Sequence, residues 1–162
     1  MITFDTDKLM DATGWQILQA LQEDARVSFS ELGRRVGLSA PAVAERVRRL
    51  EEAGVISGYH AQVNMEKIGL TLSAFIRVSL SHERKVLLSV LAKDLPEVLE
   101  CHSITGDDCL IMKVVVSSVT HLEELLHRLG QFGRTTTSVV LSSPVTRRTI
   151  GAPCSPAVES GK

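Results

Sequence analysis

Through the first third of the chain, apolar residues recur with the three- and four-residue spacing of amphipathic helices. Trp15, Ile17, Leu18 and Leu21 form one such stripe within 12–23. The run Ser28-Phe29-Ser30-Glu31 has the capping-box form, in which a hydroxyl accepts from the third residue's amide and the glutamate reaches back. It predicts a second helix with Leu32 and Val36 on one face, stopped by Gly37 in a left-handed conformation. Ser39 then caps a third helix with Pro41 in its first turn, where a missing amide proton costs little. Val43, Val47 and Leu50 turn this helix toward the core, and Gly54 ends it. The segment 55–59 reads as a strand, the start of a wing.

After a polar break at 64–69 the period changes to two. Leu72, Ala74, Ile76, Val78 and Leu80 alternate with Thr71, Ser73, Phe75, Arg77, Ser79 and Ser81, which predicts a strand with one apolar face. A helix follows at 83–93 with Val86, Leu87, Val90 and Leu91 inward, then a strand at 98–105 and a turn at Gly106-Asp107-Asp108. Segment 109–117 is nearly all apolar and reads as a central strand. A helix at 119–131 carries Leu122, Leu125, Leu126 and Leu129, and a last strand occupies 135–142.

This β-α-β-β-α-β order is the split, ferredoxin-like arrangement, with two helices on one face of an antiparallel sheet. The predicted fold class is α+β, an N-terminal winged helix-turn-helix plus a C-terminal ferredoxin-like βαββαβ domain. The domains run 1–63 and 70–143, joined by a linker at 64–69 and followed by a flexible tail at 144–162. The sheet's second face is half apolar, and another copy of the same sheet would cover it, so a homodimer is expected.

Charge sharpens the first domain. The 162 residues carry 18 basic and 19 acidic side chains, a net −1. Between Arg26 and Leu50, however, six Arg face two Glu, a local net of +4. Helix-turn-helix geometry places Ala40, Ala44, Glu45 and Arg48 on the side of the third helix that faces away from the core, flanked by Ala42, Arg46 and Arg49. Small residues near its N-terminus allow close approach to a major groove, and arginines reach phosphates or guanine edges. The plainer alternative is a solvated amphipathic hairpin in which Glu45 simply pairs with Arg49.

Other chemistries find little support. No Gly-x-Ser-x-Gly, phosphate loop or dinucleotide fingerprint is present, and five scattered His sit beside no nucleophile–acid pair, so no enzyme is expected. Cys101, His102, Asp107, Asp108 and Cys109 lack metal-ligand spacing, and strand alternation sends Cys101 and His102 to opposite faces. Cys109 is expected as a small buried apolar residue. Three Cys give no disulfide framework. No apolar run approaches the roughly 18 residues of a membrane helix, and the acidic N-terminus lacks a signal pattern, so a cytoplasmic protein without membrane contact is expected.

Several segments, in order and at matching separations, resemble the Lrp/AsnC (feast/famine) transcriptional regulators. They are Ile17-Leu18-Gln19-Ala20-Leu21-Gln22-Glu23-Asp24-Ala25-Arg26, Leu32-Gly33-Arg34-Arg35-Val36-Gly37-Leu38-Ser39 and Arg46-Val47-Arg48-Arg49-Leu50-Glu51-Glu52-Ala53-Gly54-Val55-Ile56. In the second half they are Val98-Leu99-Glu100-Cys101-His102, Thr105-Gly106-Asp107-Asp108 and Thr135-Thr136-Thr137-Ser138-Val139-Val140-Leu141. The resemblance implies a DNA reader joined to an amino-acid-sensing domain, with promoter DNA, a second subunit or an octamer, and a small amino acid as partners. It implies neither a cofactor nor catalysis.

The DNA contacts implied are Ser28, Ser39, Ala40, Ala42, Ala44, Glu45, Arg46, Arg48 and Arg49. The effector contacts implied are Thr105, Gly106, Asp107, Asp108 and Cys109, with Thr136 and Ser138 as pocket walls. Asp108 stands where many members have an aromatic residue, and Cys109 where they have an acid linked to effector response. Two alternatives stay open: a ligand-binding module that docks a protein partner, and an architectural DNA binder that needs no effector.

Overall fold

A computed structural model describes residues 6–106 and 109–152 of the chain. It divides into two compact units, one made of Met1–Ala61 with Val145–Lys162, the other of Gln62–Pro144.

The first unit holds helices α1 (Thr6–Leu9), α2 (Ala12–Glu23), α3 (Phe29–Val36) and α4 (Ala40–Glu52). Each of the three longer helices starts on a side-chain cap. Asp11 accepts from the Gly14 amide at 2.8 Å, Ser28 from Glu31 at 3.2 Å, and Ser39 from Ala42 at 3.4 Å. These bonds satisfy amides that a helix N-terminus otherwise leaves without partners. Ile17, Ala20 and Leu21 of α2, Leu32 of α3, and Val43, Val47 and Leu50 of α4 close a single core with Leu9. Trp15 is only half-buried, and Ala20 holds the inner stripe instead.

The capping box at Ser28 is half realised. Ser28 caps as expected, but the Glu31 carboxylate turns to Arg34 and Arg35. Two nearby guanidiniums on its own helix offer charge-assisted bonds, stronger than one to a neutral amide.

The expected strand at 55–59 does not form. The amides of Val55 and Ile56 both donate to the Leu50 carbonyl, at 2.9 and 3.1 Å, and so finish α4. Segment 57–64 runs on without a ladder partner, so among the described residues the helix-turn-helix carries no β-wing. Of the tail expected to be flexible, 153–162 lies outside the described residues. Ile150 is tied to Gln22 of α2, its amide donating to Gln22 Oε1 at 2.9 Å and its carbonyl accepting from Gln22 Nε2 at 3.0 Å.

The second unit opens with a 3₁₀ turn at Glu66–Ile68, then β1 (Leu72–Ser79), α5 (His82–Asp94), β2 (Val98–Ser103), β3 (Leu110–Val116), α6 (Val119–Gly130) and β4 (Arg134–Val139). The strands form one antiparallel sheet in the order β2-β3-β1-β4. Ala74, Ile76 and Val78 of β1 and Leu110, Met112, Val114 and Val116 of β3 are buried under α5 and α6. The helices contribute Leu88, Ala92, Leu122, Leu125 and Leu129, and Leu95 follows α5 into the same core.

The inward face of α5 differs from the expected one. Val86, Leu87 and Val90 are 57–62% exposed, whereas Leu88, Ala92 and Leu95 are buried with Leu91 beside them. Two apolar stripes share this helix. The one that continues through Leu95 is the one that reaches the sheet.

The opposite face of the sheet is open in the single chain. Register places His102, Ile111, Arg77 and Thr136 in one row across it, and Glu100, Lys113, Phe75 and Ser138 in the next.

Candidate nucleic-acid interface and effector loop

The α3–α4 turn is fixed by two glycines. Gly37 ends α3 with φ of 72°, a left-handed conformation that L side chains adopt at a cost. Gly33 acts through space. The Leu38 amide donates to its carbonyl at 2.9 Å, and a Cβ at Gly33 would lie 2.4 Å from the Leu38 oxygen. Only a residue without a side chain lets α4 start this close to α3. The sequence reading singled out Gly37, whose position marks a helix stop, but gave Gly33 no role, because a close approach leaves no local signal.

On α4 the buried stripe Val43, Val47 and Leu50 sets what the other side presents. Arg48 and Arg49 are exposed, with Ala40, Ala42, Ala44 and Glu45 half-buried around them. Glu45 binds both arginines: Arg48 Nη2 and Arg49 Nε donate to it at 2.7 and 2.9 Å. Hydrogen bonds from Arg48 and then Arg49 hold its carboxyl down at about 2, so the cluster is fully ionised near neutrality. Arg48 also reaches Glu52. The pairing of Glu45 with Arg49 foreseen by the plainer reading is therefore present in the free chain. It does not exclude DNA, since a phosphate can replace an exposed carboxylate partner whose bond is worth little in water.

Arg46 is placed differently from its neighbours. It flanks the buried stripe next to Val47 and donates through both terminal nitrogens to the two Asp11 oxygens, each at 2.7 Å. This fork locks α4 onto the N-cap of α2. The Arg46 bond, aided by the Gly14 amide, lowers the Asp11 carboxyl to about 2. An Asp three residues ahead of Gly14 and just before an apolar helix is a readable N-cap signal; the partner 35 residues away is not. Ser28 and Ser39 both serve as caps, and each hydroxyl keeps its proton to donate outward.

Of the residues expected to contact an effector, the described ones fall at one end of the sheet and along one edge. Thr105 and Gly106 are exposed, with Gly106 at φ of 104°, while Asp107 and Asp108 lie outside the described residues. Cys109 precedes β3 and is half-buried, not fully enclosed as expected of a central strand. Its amide donates to Val78 O at 3.0 Å, its thiol to Leu80 O at 3.1 Å, and its carbonyl accepts from Ile104 at 3.1 Å, which closes the loop onto the end of β1. Thr136 pairs with Arg77 and Ser138 with Phe75, both on the open face. β1 lies between these two residues and β3, so within one chain the loop and the β4 residues form two separate patches.

The sequence reading missed a second buried feature. Glu97, 7% exposed, accepts from Arg128 and bonds His121 at 3.2 Å, and its other oxygen has no partner among the described residues. Burial pushes this carboxyl up, but its own backbone amide, His121 and Arg128 outweigh that and leave it lowered. His121 is one of the five scattered histidines to which the sequence assigned no partner. It turns inward because α6 packs against the 95–97 segment, which no periodicity encodes.

Comparison with known proteins settles the family. Residues 10–51 match the AsnC-type helix-turn-helix domain, and residues 73–150 match the Lrp/AsnC ligand binding domain. The chain belongs to the Lrp/AsnC family of transcriptional regulators. It is 44% identical over 137 residues to YezC, an HTH-type transcriptional regulator of Bacillus subtilis, covering 83% of this chain and 95% of that one. Among solved Lrp/AsnC structures, B. subtilis LrpC superposes with a TM-score of 0.81 at 30% identity, over 85% of this chain and 99% of its own. A Neisseria meningitidis regulator in complex with L-Met gives 0.80 at 30% identity, over 89% and 96%. The relatives are DNA-binding transcriptional regulators, and among the described residues no helix is long and apolar enough to cross a membrane.

Proposed function

We propose that this Lrp/AsnC regulator reads promoter DNA with the exposed side of α4 and tunes that binding with a small amino acid. The observation that carries the reading is the α3–Gly33/Gly37–α4 unit, capped at both helices, which presents Glu45, Arg48 and Arg49 on a rigid support. Arg48 and Arg49 contact phosphates or guanine edges, and Glu45, once released, accepts from a cytosine amino group. Ser28, Ser39, Ala40, Ala42 and Ala44 line the approach. Arg46 supports α4 through Asp11 and acts on DNA by holding the helix in place.

The effector is a small amino acid at the loop 105–109, its ammonium facing Asp107 or Asp108 and its carboxylate taking exposed amides near Gly106. The solved relative with L-Met supports an amino acid as the ligand class. Cys109 replaces a charge with a thiol already bonded to Leu80, so effector preference differs from members with an acid there. A second copy covers the open sheet face and brings its own β4 residues, Thr136 and Ser138, toward this loop, in a homodimer that assembles further to octamers. The bounds 1–63, 64–69 and 70–143 serve as reader, hinge and sensing domain. The protein works in the cytoplasm, with no catalytic step and no cofactor.

The test is fluorescence anisotropy with the duplex immediately upstream of its own gene, a scrambled duplex, and pooled amino acids. Selective binding that weakens steeply with salt is expected, with the Arg48→Ala/Arg49→Ala variant at least about tenfold weaker, as loss of one good bidentate contact predicts. Unchanged affinity in that variant overturns the assignment of α4. The absence of any amino-acid effect on affinity or assembly leaves an effector-independent DNA binder.

A further inference from the structure

We propose that the C-terminal segment 145–150 is a working part of the DNA-binding unit, held against α2 by Gln22 so that Arg147 and Arg148 contact backbone phosphates. This rests on the DNA-binding reading above and extends it to a segment far from the helix-turn-helix in sequence.

The attachment is specific in its geometry. Gln22, in the last full turn of α2, uses both ends of its side-chain amide on one residue. Its oxygen accepts from the Ile150 amide at 2.9 Å and its nitrogen donates to the Ile150 carbonyl at 3.0 Å. This is the two-bond exchange that a neighbouring strand would make. Apolar burial contributes little, since Val145 and Ile150 remain 60% and 70% exposed. The segment is therefore pinned at one point by hydrogen bonds and stays open on its outer side.

Charge shows what the pinned segment adds. Five arginines of the helical unit are already occupied: Arg34 and Arg35 by Glu31, Arg46 by Asp11, Arg48 by Glu45 and Glu52, Arg49 by Glu45. Among the described residues of the same unit, the guanidiniums of Arg26, Arg147 and Arg148 have no carboxylate partner, and all three residues are exposed. Arg26 lies four residues beyond Gln22, between α2 and the Ser28 cap of α3. Arg148 and Arg147 lie two and three residues from Ile150, at most about 7 and 10 Å along an extended chain. Chain length thus keeps three cations without a carboxylate partner within reach of the corner that leads from α2 into α3. In a helix-turn-helix the first helix crosses the DNA backbone, so this corner faces phosphates. Pinning Ile150 removes part of the entropy that a loose tail would lose on binding.

The experiment uses the full chain as wild type, Arg147→Ala/Arg148→Ala and Gln22→Ala. Each is titrated by anisotropy against the upstream duplex and the scrambled duplex over a range of NaCl. Two lost phosphate contacts should make the slope of log affinity against log salt shallower by about 1.8 per bound protomer. The loss of affinity should be equal on both duplexes, because phosphates carry no sequence. Gln22→Ala should shift the slope in the same direction by less. Circular dichroism and denaturation midpoints should match wild type for the arginine variant, since both residues are exposed.

A slope equal to wild type in the arginine variant overturns the proposal, as does a loss confined to the upstream duplex. Wild type that binds neither duplex in a salt-dependent way overturns the DNA reading itself. Wild type that binds while the variant keeps its slope overturns this inference alone.

Discussion

Asp11 holds two jobs at once: it caps α2 through Gly14 and anchors α4 through Arg46. Its folded carboxyl sits at about 2 against 3.8 for the free group. A depressed carboxyl contributes stability that is fully present above the unfolded value and is lost as pH falls through the folded one. In urea titrations, wild type should therefore exceed Asp11→Ala near neutrality by about 1 kcal/mol for the cap alone, and the gap should narrow as pH falls from about 4 through 2. A gap of unchanged size from pH 6 to pH 2 counts against the Arg46 clasp. Glu97 offers a comparable case in the second unit. Arg128→Ala removes a charged donor from a buried carboxylate, which should cost about 2 kcal/mol in chemical denaturation. Glu123→Ala on the exposed side of the same helix should cost within about 0.5 kcal/mol.

Within elements, packing geometry separates residues that composition treats alike. Gly33 and Gly37 both lie in the helix-turn segment, yet they fail differently when given a side chain. Gly37→Ala meets no atom within 4 Å and strains only its own backbone, at about 1–2 kcal/mol. Gly33→Ala drives a methyl into the Leu38 carbonyl and must push α4 away, so it should cost as much or more, about 1–3 kcal/mol. The decisive difference is in DNA affinity at temperatures where both variants stay folded. Gly33→Ala should weaken it more, and an equal effect would show that α4 tolerates the shift. Helix α5 shows the reverse situation. Its sequence pointed Val86, Leu87, Val90 and Leu91 inward, and the sheet buried instead the stripe of Leu88 and Ala92 that Leu95 continues.

At the scale of the whole molecule, the open sheet face is the surface that the proposed dimer covers. Phe75 stands near its centre, 39% exposed, with Lys113 and Ser138 on either side. If the proposed dimer buries this face, Phe75→Asp places an unpaired charge inside it and should shift the protein toward monomer in sedimentation velocity. Its single-chain fold should persist, because Phe75 points away from the core built on Ala74, Ile76 and Val78. An unchanged sedimentation profile would move the dimer contact elsewhere.

Sequence by itself determined the βαββαβ order of the second unit, the caps at Ser28 and Ser39 and the core side of β1, because these depend on local capping groups and on a period of two or 3.6 residues. Helix α2 spans 12–23 as its periodicity predicted, and β3 is central as its apolar run required. It also marked α4 as the basic face, since the stripe Val43, Val47 and Leu50 leaves Arg48 and Arg49 nowhere but outside.

Tertiary structure alone decided the pairings between distant residues. It turned Arg46 to Asp11, Arg128 and His121 to Glu97, and Gln22 to Ile150. It ended α4 with the amides of Val55 and Ile56, so the segment that looked like a wing lost the donors a strand would have used. The physical reason is common to all of these. A side chain or amide with several acceptors within chemical reach is committed only when packing brings one of them close, and that distance is not written in local spacing.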